Sequence, residues 1–243
     1  METVDVFDGG TASVCWLPTA QLSMCETAFA TQRRFLALYL RSLWGRDFML
    51  TTLPRIVRPR LASNTLYFPE HVRGSDVFAN KRLYQAMAMH LAAHEVYGKR
   101  AFKNVDQFDY EARTIIEWIE DARVEQNVMH SFPGIRKQWL PFLMSLRTLP
   151  LQGVPGNLLL QLQYALFDKR YVMSDVRLAA WARRFHECIM FNRYNSALSI
   201  NLGYELRDIL YQCGVGGDIS LLKAMLKPAY RDDGDCLWRV HCG

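Results

Sequence analysis

Apolar residues recur at three- and four-residue intervals along most of this chain, and that period predicts a mainly helical protein. From about Ala20 to Leu43, the positions Leu22, Ala28, Phe29, Phe35, Leu36, Leu38, Leu40 and Leu43 suit one long helix, with Thr19 as its N-cap and Gly45 as its end. Residues 1–18 show no period and read as an irregular leader, so residues 19–243 are expected to form a single helical domain. The period changes in RIVRPR, LASN and TLYFP, where β-branched and aromatic residues flank a polar turn and Pro54, Pro59 and Pro69 deny helix. These stretches predict two short strands joined as an edge hairpin. Two central helices follow at about 80–98 and 107–130, with Asn80 or Asp76 capping the first and Gly98 stopping it. A helix broken at Pro141 comes next, then helices at about 157–169, 174–195, 198–213 and 217–227. The expected fold is therefore a mainly α multi-helix bundle with a small two-stranded β hairpin. No repeat of 20–50 residues points to a solenoid.

The central helix pair, residues 80–130, holds the candidate chemistry. His90 and His94 lie one turn apart on one face, with Leu83 and Met87 beside them. Ala86, Met89, Leu91 and Ala93 make most of the remaining surface apolar, so this helix is expected inside the protein, where each ring nitrogen needs a partner. The second helix carries Glu117, Glu120, Asp121, Arg123 and Glu125. Two helices joined by a short loop pack antiparallel, which brings these carboxylates towards the imidazoles. Two arrangements follow. His90 and His94 with Glu117 or Glu120 are a ligand set for zinc or iron. Alternatively, the histidines pair with Glu117, Glu120 or Asp121 in a buried polar network that includes Glu125 and in which Arg123 neutralises the surplus charge.

The spacing resembles a degenerate helical zinc-peptidase core. Such an enzyme places a general base directly after the first histidine, and here that position is Leu91, which takes no proton from a metal-bound water. Glu95 is the nearest carboxylate to replace it. No phosphate-cradling Gly-x-x-x-x-Gly-Lys loop and no Gly-x-Ser-x-Gly elbow occurs. Cys188 and His186, two apart on a helix, face different ways. No catalytic residue is assigned.

Composition adjusts this picture in two respects. With 243 residues, half of them apolar, the chain can bury a sizeable core. Its net charge of +5 is uneven, because residues 31–100 carry twelve Lys or Arg against four Asp or Glu and the remainder is slightly acidic. A basic face is expected, either solvated or docked to an anionic surface or an acidic protein. No repeated alternation of basic and aromatic residues singles out nucleic acid. Six scattered cysteines without a Cys-x-x-Cys pair suit free thiols in a reducing cytoplasmic compartment. The apolar run FLALYL is cut by Arg41 and Arg46, far short of a membrane span.

The strings TLYFPEHV, AMAMHLAAHEVYG, EWIEDARVEQNVMHSFPGIRKQWLPF and LLKAMLKPAYRDDGD together resemble the N-terminal helical region of NorD-like proteins, the nitric-oxide-reductase activation proteins and their Rubisco-activating relatives. The most specific part is Glu120-Asp121-Ala122-Arg123-Val124-Glu125 with the Phe132-Pro133-Gly134 beyond it. The resemblance implies an adaptor or assembly factor that acts with a MoxR-type AAA+ ATPase to activate a metalloenzyme. Relatives continue into a von Willebrand factor A domain with an Asp-x-Ser-x-Ser loop. Here Asp218-Ile219-Ser220 runs into leucines, so the match is to the helical region without that domain. A metal-binding degenerate hydrolase and a stably integrated subunit of the target complex are the alternatives.

Overall fold

A computed structural model describes residues 25–62, 64–98, 108–148, 153–217, 222–223, 228–231 and 238. Its architecture is mainly α with small β elements. Helix α2 (Val77–Tyr97) and helix α3 (Tyr110–Ser131) run through the middle, and the other elements are arranged around them. Asp76 caps α2 by accepting the Ala79 N–H at 2.7 Å, and Asp109 caps α3 by accepting that of Ala112 at 2.8 Å. At the other end of α2, the Gly98 N–H donates to the His94 carbonyl at 2.8 Å. A Cβ on Gly98 would lie 2.5 Å from that same oxygen, which explains the glycine there. Twelve residues of α2 are buried, on all of its sides, as expected of a helix that is apolar all round.

On one side of α2 sit the strands. β1 (Cys25–Ala28) pairs antiparallel with β5 (His71–Gly74), while β4 (Thr65–Phe68) lies between β2 (Met49–Thr52), which is parallel to it, and β3 (Arg60–Ala62), which is antiparallel. A hairpin forms as β3–β4, but with other bounds than expected. Of RIVRPR only Arg60 is strand, because Pro54 and Pro59 keep that stretch out of the ladder. Leu61 and Ala62 of the expected turn continue the strand, and the chain turns through Asn64 in the left-handed region at φ +62°. The hairpin is part of a larger unit than an edge ribbon: β4 is a central strand, and its Leu66 and Phe68 are fully buried.

The expected helix from Ala20 to Leu43 starts later. Cys25–Ala28 is strand, a 3-10 turn follows at Phe29–Thr31, and α1 spans Arg33–Trp44 before ending at Gly45. Tertiary pairing overrides the local period here. Glu26 meets Arg73 at 2.8 Å and His71 at 2.9 Å across the strand pair. Asn80 donates to the Cys25 carbonyl, and the Tyr84 hydroxyl donates to the carbonyls of Thr27 and Pro69. Thr19, the proposed cap, and the leader 1–18 lie outside the described residues.

Beyond α3, helix α4 (Arg136–Met144) runs through Pro141 and tightens to a 3-10 turn only at Ser145–Thr148, so the break expected at the proline comes four residues later. Helices α5 (Gly153–Phe167), α6 (Val176–Phe191) and α7 (Ala197–Gln212) match the expected sequence of helices. The last expected helix, 217–227, lies mostly outside the described residues. Gly203 of α7 faces α3, and a Cβ there would come within 2.7 Å of Ile116, so the glycine permits the close α3–α7 contact.

The α6 cap supplies a stability test. Asp175 accepts the N–H groups of Arg177 and Leu178 at 2.9 and 3.1 Å and pairs with the Arg177 guanidinium at 2.9 Å. The Arg177 hydrogen bond, together with those from the backbone, brings its carboxyl from 3.8 to about 2. Asp175→Ala is expected to cost about 1 kcal/mol. Because the folded-state value is depressed, that contribution is complete above about pH 4 and fades as pH falls through about 2. Urea unfolding of wild type and variant at pH 6 and at pH 2 checks both statements.

Candidate functional site

The antiparallel packing of α2 on α3 sets which side chains meet. Advancing one turn along α2, from His90 to His94, means retreating one turn along α3, from Glu125 to Asp121. His94 Nε2 accordingly lies 3.1 Å from Asp121 Oδ1, and His90 Nδ1 lies 3.3 Å from Glu125 Oε1. His90 Nε2 is 3.7 Å from the same Asp121 oxygen. The two rings stand edge to face with centroids 4.7 Å apart. His90, His94, Asp121 and Glu125 are 0, 2, 4 and 2% exposed.

Arg231, 106 residues further along the chain than Glu125, closes this cluster. Its Nε and a terminal nitrogen donate to the two Glu125 oxygens at 2.8 and 2.7 Å, and Nε is also 3.7 Å from Asp121 Oδ2. Burial disfavours an ionised Glu125, but the Arg231 charge and the hydrogen bonds from His90 and Arg231 outweigh it and hold the carboxyl at about 2. The neighbouring Tyr230 is fully buried, packs 5.7 Å from the His90 ring and stacks on Trp139 at the same separation. Burial and the Glu125 charge push its hydroxyl well above the ordinary value. The Trp139 indole N–H in turn donates to the Ala86 carbonyl of α2 at 3.2 Å.

A second buried group lies beside the first. Arg123, fully buried, donates to both oxygens of Glu120 at 2.7 and 2.6 Å, to the Tyr97 carbonyl at 2.9 Å and to the Arg193 carbonyl. Ser199 of α7 donates to Glu120 at 2.7 Å. One guanidinium thus joins the end of α2, the middle of α3 and the segment between α6 and α7.

The structure therefore brings together His90, His94, Asp121 and Glu125, and places Glu117 and Glu120 elsewhere. Glu117 accepts the Trp238 indole N–H at 2.6 Å, and Glu120 is engaged by Arg123 and Ser199. These two are corrected as ligand candidates. The helical phase explains it: Glu120 projects about 100° away from Asp121 round α3, and Glu117 belongs one turn before the level of His94. Among the described residues, the group whose donors suit a metal is His90, His94 and Asp121, with one ligand-type atom from each and all three atoms within 4.8 Å of one another. Asp121 and Glu125 meet the histidines and Arg231, whereas Arg123 is paired with Glu120 in the separate group, so the charge expected to be balanced by Arg123 is balanced by Arg231. Arg231 and Tyr230 were not singled out from sequence, although PAYRDD carries an arginine in an otherwise apolar and acidic stretch.

What the cluster can do is limited by its enclosure. Leu91, at the position a general base would need, is fully buried. Glu95 lies 3.4 Å from Arg46 of the segment after α1, not against the histidines. The cavities of about 280, 470 and 380 Å³ on the α4–α6 side are lined by other residues, among them His130, Arg136, Tyr164, Lys169 and His186.

Removing one partner of a buried pair leaves an uncompensated charge. Arg123→Ala is expected to lower the unfolding free energy by about 3–5 kcal/mol by stranding Glu120. Denaturant unfolding measures it, and an unchanged midpoint would contradict the role assigned to Arg123. No protein-family model matches the chain, and no curated protein or solved structure is significantly similar to it.

Proposed function

We propose that this chain is a non-catalytic adaptor or assembly factor, a helical module that presents its surface to protein partners. The observation that carries this reading is the sealing of its most reactive-looking cluster. His90, His94 and Asp121 are at most 4% exposed, behind Tyr230 and Arg231, so their chemistry acts on the fold and not on a substrate. Leu91 in place of a base and the outward pairing of Glu95 with Arg46 weigh against the degenerate-hydrolase alternative.

The outer surface supports docking. Met190, Phe191 and Tyr194, at and just after the end of α6, are 54, 87 and 51% exposed. A neighbouring group of large apolar side chains of this kind is a common feature of protein contact sites. The resemblance to NorD-like proteins supports the finer proposal that a MoxR-type AAA+ ATPase is the partner, a metalloenzyme is the client and the cytoplasm is the location. No helix among the described residues is long and apolar enough to cross a membrane.

Affinity capture from native extract tests the proposal. The full chain is expected to retain a MoxR-type ATPase or a metalloenzyme, and Phe191→Asp is expected to reduce capture about tenfold without moving the thermal midpoint. Recovery of the chain as a lone monomer counts against the reading. Native mass spectrometry of the captured material separates a transient helper from a stably integrated subunit.

A further inference from the structure

We infer that His90, His94 and Asp121 bind a single divalent transition-metal ion of the zinc or iron(II) class, and that Glu125 and Arg231 orient the site without touching the ion. The inference concerns the interior of the protein and stands whether or not the adaptor reading holds.

Donor chemistry is the first support. Two imidazoles and one carboxylate form a nitrogen-rich set that favours borderline first-row ions over calcium or magnesium, which prefer all-oxygen shells. Geometry is the second. Ligand atoms about 2.0–2.1 Å from a tetrahedral ion are about 3.3–3.4 Å from each other. Asp121 Oδ1 is 3.1 Å from His94 Nε2 and 3.7 Å from His90 Nε2, values on either side of that separation. All three ligand atoms lie within 4.8 Å of one another, so small side-chain rotations bring them onto one centre.

Charge is the third. The Glu125 carboxylate and the Arg231 guanidinium neutralise each other through two short hydrogen bonds. Asp121 then contributes a negative charge beside two imidazoles in a volume closed to water, where a dipositive ion is strongly attracted. Finally, the site has the outer support that metal-binding histidines require. Glu125 Oε1 lies 3.3 Å from His90 Nδ1, so a proton on Nδ1 faces the carboxylate and leaves Nε2 as the lone-pair nitrogen on the Asp121 side. Because Arg231 holds Glu125 in a two-point grip, this orientation is fixed before any ion arrives.

The test is titration of the chelator-stripped full chain with Co²⁺, read by visible absorption, together with elemental analysis after Zn²⁺ loading. One ion per chain and the absorption of a low-symmetry nitrogen–oxygen site are expected. His94→Ala and Asp121→Asn should abolish both. Glu125→Gln should weaken the affinity about 10–100-fold while leaving the stoichiometry intact. Glu117→Gln should change neither. His71→Ala controls for the exposed surface group in which His71 lies 2.9 Å from Glu26. The proposal is overturned if folded stripped protein takes up no cobalt, or if Asp121→Asn and His94→Ala keep full occupancy. Loss of the ion in His71→Ala alone would show an adventitious ion only. Should the cluster variants fail to fold, the wild type still decides: Zn²⁺ must raise the thermal midpoint of the stripped chain and Mg²⁺ at the same concentration must not.

Discussion

The register of α2 against α3 is the constraint on which the remaining structure depends. It sets two imidazoles opposite two carboxylates inside a helix pair whose buried surface is largely apolar. A shift of one residue along either helix would turn Asp121 and Glu125 away from the histidines by about 100° and leave charge against hydrocarbon. Apolar packing alone tolerates such slips, because alanine and leucine interdigitate in several phases. The polar cluster does not, and it selects one alignment of the two longest helices.

Burying carboxylates has a desolvation cost of several kcal/mol for each ion, and apolar residues of the same shape would often be at least as stabilising. What offsets the cost here is the engagement of the two buried guanidiniums. Arg123 bonds to Glu120 and to two backbone carbonyls, and Arg231 grips both oxygens of Glu125. These guanidiniums also tie together segments far apart in sequence. Tyr97, at the end of α2, and Arg193, beyond α6, offer carbonyls to the same side chain, while Arg231 brings residues near the end of the chain against the middle of α3. Tyr230 arrives with it and fits between His90, Trp139 and Phe142, so apolar packing and ionic pairing reinforce the same placement.

Much of this was legible in the amino-acid pattern, and the exceptions share a cause. The helices appear where three- and four-residue periods are strong, and Asp76, one of the two caps read for α2, does cap it. A β3–β4 hairpin was legible, but not its first strand, which is Arg60–Ala62 and not the proline-containing RIVRPR. Cys25–Ala28 departs from expectation because its strand partner, His71–Gly74, lies more than forty residues away and no local period reports it. Pro141 stays within α4 because a proline removes one hydrogen bond from a helix that tertiary contacts still hold, with Trp139 and Leu143 fully buried on its inner face. At the site, the histidines and the carboxylate-rich helix were evident. Choosing Asp121 and Glu125 over Glu117 and Glu120 required the antiparallel alignment, and finding Arg231 required the fold itself.

The enclosure of the cluster divides the molecule into two parts with different duties. Inside, side chains that elsewhere do catalysis are fixed by at least one partner each and screened by aromatic rings, so they hold helices in place. Outside, Met190 and Phe191 at the end of α6 are 54 and 87% exposed. On the proposed adaptor reading, substitution on that surface alters partner binding with little effect on stability, whereas substitution within the cluster changes stability first. A rigid, chemically sealed interior would suit the docking role proposed for this chain, because exposed residues held in one arrangement lose less conformational entropy when a partner binds.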